Sequence, residues 1–164
     1  MAQPFIVTAA LPPEIQGWAD GLRRQHYPPE RNQLHAHVTL FHAFAPSLRE
    51  ELVDFLPRLG QEFAPPEGRL AGLMDLGKGT AILLDAPPLL ALRRMIADHF
   101  HGNLTEQDLH EPRLHITIQN KVTKEEARAL QAMLAPTIEP RRFAFPAIEL
   151  QLYRGGPWDL VKRS

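Results

Sequence analysis

Residues 36–44, AHVTLFHAF, and residues 113–119, RLHITIQ, decide how this chain folds. Both are runs of β-branched, aliphatic and aromatic residues, so both read as strands. Side chains alternate along a strand, which puts His37 and Thr39 on one face and Val38 and Leu40 on the other. His115 and Thr117 stand in the same relation to Ile116 and Ile118. Each strand therefore has an apolar face to pack against helices and a His-x-Thr pair facing away from them.

Working outward, the elements around the two strands follow one order. Residues 4–11 (PFIVTAAL) read as a strand, and residues 13–25 as a helix opened by proline, with Ile15, Trp18 and Leu22 at helical spacing. After the first motif, Ser47 is placed to cap a helix over 48–58, and residues 69–76 and 80–85 form a hairpin closed by Gly77-Lys78-Gly79. Pro87-Pro88 then opens a helix over 89–100, followed by the second motif strand. Thr123 with Glu126 makes a capping box for a helix over 124–135. A final strand over 143–153 precedes the Gly155-Gly156-Pro157 turn.

The halves can be laid over each other. Leu11-Pro12-Pro13, Leu22-Arg23-Arg24 and His37-Val38-Thr39-Leu40 match Ala86-Pro87-Pro88, Leu92-Arg93-Arg94 and His115-Ile116-Thr117-Ile118. The first proline of each pair precedes its histidine by 25 residues in one half and 28 in the other. We read one domain over 1–164 with an internal repeat, approximately 4–85 and 86–155. The element order points to an α+β fold with mainly antiparallel sheet. A pseudo-two-fold between the halves would bring the two polar faces together across one cleft.

Composition narrows the partners. The 164 residues are 44% hydrophobic and 23% charged, ordinary for a single globular domain. A net charge of −1 gives no bulk attraction to nucleic acid, so any RNA contact is local, at a chain end. With no cysteine, the chain has no disulfide, thiol nucleophile or Cys-ligated zinc. No apolar run approaches membrane-spanning length. Residues 4–11 lack a basic leader and run into Pro12-Pro13, unlike a signal peptide, so the expected location is the cytoplasm.

Two histidines and two threonines facing one cleft suit in-line displacement at phosphorus. One imidazole takes a proton from water while the other gives one to the leaving oxygen. The hydroxyls donate to non-bridging oxygens as charge develops. Such a site requires no metal, because a cyclic phosphate is strained and its leaving group stays tethered.

The paired HVTL and HITI motifs resemble those of the 2H phosphoesterase superfamily, and the tail LYRGGPWD resembles that of its bacterial 2′-5′ RNA ligase-like members. The resemblance spans nearly the whole chain. It implies two lobes of antiparallel sheet with outer helices around a central cleft. It also implies cleavage of 2′,3′-cyclic phosphates on RNA ends or nucleotides, with some members joining RNA halves through a 2′-5′ bond. His37, Thr39, His115 and Thr117 match the catalytic motif position by position. No cofactor, metal or obligate protein partner is implied. Phe41-His42 stand where members often carry a basic residue, which keeps small cyclic nucleotides open beside RNA.

Further residues are candidates by position. Arg113 and Gln119 share parity with His115 and Thr117 and so are expected at the cleft, to touch phosphate or base; a solvated strand end is the plainer reading of Arg113. Phe41 has the parity of His37 and Thr39 and is a candidate for stacking on a base, or for the core. Tyr153 and Arg154 sit beside the Gly-Gly-Pro turn, which can bring them to the cleft or simply use them as anchors. His35 and His37 form a His-x-His pair of the kind that binds metal, although Asp75, Asp85 and Asp108 have no motif context to complete a site. The alternatives are thus a nucleotide-binding module without catalysis, a His-based metallohydrolase, and an enzyme for another cyclic phosphate such as that of ADP-ribose derivatives. His26, His99, His101 and His110 are expected at the surface.

Overall fold

The computed structural model describes residues 3–164. It is an α+β fold of two four-stranded antiparallel sheets with four helices, built around one continuous apolar core. The elements in chain order are β1 (Phe5–Ala9), α1 (Pro13–His26), β2 (Val38–Phe44), α2 (Arg49–Glu62), β3 (Glu67–Asp75), β4 (Thr80–Asp85), α3 (Pro87–His99), β5 (His115–Gln119), α4 (Lys124–Leu134), β6 (Arg142–Ala144), β7 (Ile148–Tyr153) and β8 (Trp158–Arg163).

One sheet runs β2-β1-β7-β8 and the other β5-β4-β3-β6. β1 and β4 hold the same place in their sheets, and the motif strands β2 and β5 are both edges. β3 follows β2 in sequence but joins the sheet of β5. β7 comes late in the chain but joins the sheet of β1. The two sheets therefore exchange strands.

Most local expectations follow their stated causes. α1 and α3 begin at the proline pairs, where a missing N–H costs nothing. α4 has the full capping box, with the Glu126 amide donating to the Thr123 hydroxyl at 3.1 Å. The β3–β4 turn closes through Leu76 N–H to the Gly79 carbonyl, with Gly77 at φ 82°. A side chain at Gly79 would collide with the Gln119 carbonyl, so this glycine lets β5 approach the turn.

Three expectations need correction. Ser47 caps nothing; it lies in a short 3₁₀ turn, Pro46–Leu48, and α2 starts after it with no side-chain cap. The strand expected over 143–153 is two strands, because Pro146, which cannot donate to a ladder, interrupts it and the pieces enter different sheets. β8 has no counterpart among the expected strands, yet it pairs with β7 beyond the Gly155-Gly156 turn.

Candidate active site

Each motif histidine is oriented in the same way. His37 Nδ1–H donates to the His35 carbonyl at 2.7 Å, and His115 Nδ1–H donates to the Arg113 carbonyl at 2.7 Å. A carbonyl can only accept, so Nδ1 carries the proton in both rings. Nε2 of each is then left for chemistry. Thr39 and Thr117, two residues on, are partly exposed like the histidines, while Val38, Leu40, Ile116 and Ile118 are buried. The alternation read from the motifs is the one observed. β2 and β5 approach within 8 Å between Cα atoms, and His37 feels the charge of His115.

The segment leading to His37 is held by α1. Asp20 accepts from the Ala36 amide at 2.7 Å, and Gln16 donates to the Ala36 carbonyl at 2.8 Å and to Asp20. Both backbone groups of the residue before His37 are thereby fixed. Trp158 of β8 covers the imidazole, with ring centroids 4.6 Å apart. Burial chiefly, helped by the charges of Arg23, His115 and His42, pulls the His37 pKa down to about 4, against the bond to the His35 carbonyl. His37 is therefore neutral at physiological pH. A cavity of 490 Å³ opens beside it, lined by Gln16, Asp20, Trp158, Glu149 and Arg163 among others.

The other candidates separate. Phe41 has 0% exposure; it packs on Phe44 with the Arg93 guanidinium 4.3 Å above its ring, and it faces the core rather than a base. Gln119 is 5% exposed and accepts from the Thr80 hydroxyl inside the second sheet, so its side chain is committed there rather than to substrate. One cause explains both. Val7 pairs with Phe41 and Thr8 with Thr39, leaving Leu40 without a partner; Thr80 pairs with Gln119 and Ala81 with Thr117, leaving Ile118 without one. A β-bulge one residue after each threonine reverses the parity beyond it.

Arg113 is exposed and serves the site through its carbonyl. Arg154 makes a 3.4 Å ion pair with Asp159 across the β7–β8 turn. Tyr153 is 38% exposed and lines a 740 Å³ groove with Tyr27, Arg31, Gln33 and Lys121. Gln33 and Leu34 line this groove and the cavity at His37 alike. Lys121 has φ 62°, the one non-glycine residue with positive φ among the described residues.

His35 is 92% exposed at its side chain and lies 3.6 Å from Asp20; no group of three or more His, Asp or Glu side chains able to hold a metal is gathered among the described residues. His99 is at the surface, as expected, where it stacks on Phe55 at 3.8 Å and bonds Glu51. Asp108, which lacked any motif context, is 1% exposed and accepts from the His42 and Ala43 amides and the His42 ring. Burial raises its pKa, but these bonds outweigh that and hold it below the usual carboxylate value.

Sequence reasoning missed Trp158, Gln16, Asp20 and Asp108. Trp158 alone had a visible signal: a Gly-Gly turn after a strand calls for a partner strand, and WDLVKR is where it would lie.

The family model of the 2′-5′ RNA ligase superfamily matches residues 11–157. By sequence alone, no curated protein is significantly similar. Among solved structures, Escherichia coli LigT complexed with 3′-AMP superposes with a TM-score of 0.61 at 18% identity, covering 100% of this chain and 98% of that one. TT0787 of Thermus thermophilus gives 0.62 at 18% identity, over 98% and 96%. A further structure described as a phosphoesterase gives 0.60 at 19% identity, over 100% and 98%. At these identities the likeness is one of fold.

Proposed function

Because the chain belongs to the 2′-5′ RNA ligase superfamily of 2H phosphoesterases, we propose that it opens 2′,3′-cyclic phosphates on RNA ends or nucleotides, with no metal in the chemistry. The observation that carries this reading is the matched tethering of the two imidazoles. Each Nδ1–H is held by the carbonyl two residues before it, and each ring has a threonine two residues after it.

In the proposed step, Nε2 of neutral His37 takes a proton from water as its oxygen bonds to phosphorus. The ribose 3′-oxygen leaves from the opposite side and receives a proton from Nε2 of His115, giving a 2′-phosphate. Thr39 and Thr117 donate to the non-bridging oxygens as charge builds. The same displacement with a ribose 5′-hydroxyl in place of water would join two ends through a 2′-5′ bond, the 3′-oxygen again leaving. We give His37 the base role because its burial keeps the ring unprotonated at physiological pH.

Support for a nucleotide substrate comes from two directions. The structures of E. coli LigT hold 3′-AMP, NADP+ and ATP, all ribose phosphates. The groove with Tyr27, Tyr153, Arg31 and Lys121 continues from the cavity at His37 and offers aromatic and cationic groups to the rest of an RNA end. No helix among the described residues is long and apolar enough to cross a membrane.

The test is hydrolysis of a panel of 2′,3′-cyclic nucleotides and cyclic-phosphate-ended oligoribonucleotides in excess chelator, with 2′- and 3′-phosphate products separated. Turnover to 2′-phosphates is expected. Binding without turnover would leave a nucleotide-binding module instead. Activity lost to EDTA and restored by zinc would make it a metallohydrolase.

A further inference from the structure

Both motif strands lie at sheet edges, and both carry a bulge beside the catalytic threonine. An edge with a bulge leaves backbone groups that the ladder does not use. Here they are taken by two buried arginines, in a crossed arrangement. α1 leads into β2, but its Arg23 donates to the Thr117 carbonyl of β5 at 2.8 Å. α3 leads into β5, but its Arg93 donates to the Leu40 carbonyl of β2 at 2.9 Å.

Each arginine is 3% exposed and anchored at its own end. Arg23 also bonds Asn32 at 3.1 Å, with its guanidinium 4.2 Å from the Tyr27 ring. Arg93 also donates to the Asp108 carbonyl at 2.7 Å, with its guanidinium over Phe41. The Asp108 carboxylate then takes the two β2 amides of His42 and Ala43. Arg23 and Arg93 stand at matching places in the Leu-Arg-Arg triplets of the two halves.

We infer that Arg23 and Arg93 are positioning residues that act across the molecule, each holding the opposite His-x-Thr strand at its bulge and together setting the gap between His37 and His115. An ordinary structural arginine would stabilise its own unit. These two tie each unit to the other unit's reacting group. The two edge strands share no ladder, so beyond core packing these bonds are what sets their separation, and a misplacement of about 1 Å in a bifunctional site can cost 10²-fold in rate.

The catalytic consequence rests on the proposed phosphoesterase reading, whereas the brace itself does not, so the experiment reads both. Arg23→Lys and Arg93→Lys keep the charge but lose the planar fork that reaches two acceptors at once. In each variant kcat on a cyclic nucleotide is expected to fall about 10–100-fold, and for Arg93→Lys, whose side chain lies outside the groove, product-nucleotide affinity should stay within about threefold. The imidazole Cε1–Hε1 NMR signals of the free protein supply the second readout. Arg93→Lys should move the His37 signal and leave that of His115 nearly in place, whereas Arg23→Lys should move the His115 signal more than that of His37, whose ring feels the Arg23 charge.

If the lysine variants do not fold, Asp108→Asn, which weakens the grip on β2 alone, should move His37 selectively. A wild type inactive on every cyclic phosphate but showing the crossed pattern would sink the function and keep the brace. Unchanged kcat in both variants, or both histidine signals moving equally in each, would overturn the brace.

Discussion

His37 and Trp158 form the contact on which the proposed chemistry turns. The indole excludes water from one side of the ring, and a neutral His37 follows. For the free enzyme, kcat/KM should rise with pH through an inflection near 4 rather than 6.5. The limb of kcat should lie higher, because bound phosphate favours the protonated ring. Trp158→Leu readmits water, so its kcat/KM limb should move up toward 6.5; parallel pH–rate profiles decide this. His37→Ala and His115→Ala should each cost about 10²–10⁴-fold in kcat, and the double variant far less than the product, since the pair acts as a unit. Stability should follow the same charge. The folded pKa of His37 lies below its unfolded value, so the unfolded chain binds more protons between pH 6.5 and 4, and stability is lost as pH falls through that window. The lowered Asp108 continues the loss at still lower pH, which urea titrations at stepped pH would follow.

At the scale of elements, what could be read was what local chemistry dictates. Proline pairs open α1 and α3, Thr123 and Glu126 cap α4, and alternation places His37, Thr39, His115 and Thr117 on one side of their strands. Parity failed two residues after each threonine. A bulge is a property of two paired strands, and nothing in LFH or IQN announces one. Strand β8 escaped notice because its charged residues suit an exposed edge as well as they suit a loop. Asp20 and Asp108 were invisible for a related reason: their partners lie 16 and 66 residues away. Two substitutions test the elements separately. Thr123→Ala removes the cap and should cost about 1 kcal/mol with activity intact. Gly79→Ala presses a methyl group on the Gln119 carbonyl and Asn120. It should cost about 1–3 kcal/mol and also lower kcat, because β5 carries His115. Urea midpoints and turnover, measured together, separate the two cases.

Across the whole molecule, the exchange of β3 and β7 means that neither sheet is made from one stretch of chain. β1 and β2 can pair early, but two strands are marginal without a third, and their third is β7, whose Ile148 and Leu150 complete the core. A chain ending after Ala144 should therefore lack a cooperative urea transition and dispersed methyl NMR signals, although both His-x-Thr motifs are present in it. A sharp transition in that fragment would contradict this. During synthesis the same arrangement imposes a wait. β2 is complete at Phe44 and β7 begins at Ile148. Ribosomes add about 5–20 residues per second, so the first motif strand spends roughly 5–20 s on a nascent chain without the neighbour that stabilises its sheet. In that interval its apolar face, Val38, Leu40, Phe41 and Phe44, is open to a chaperone or to another nascent copy. A newly made chain would acquire both halves of the proposed proton relay at nearly the same moment, when the last hairpin closes.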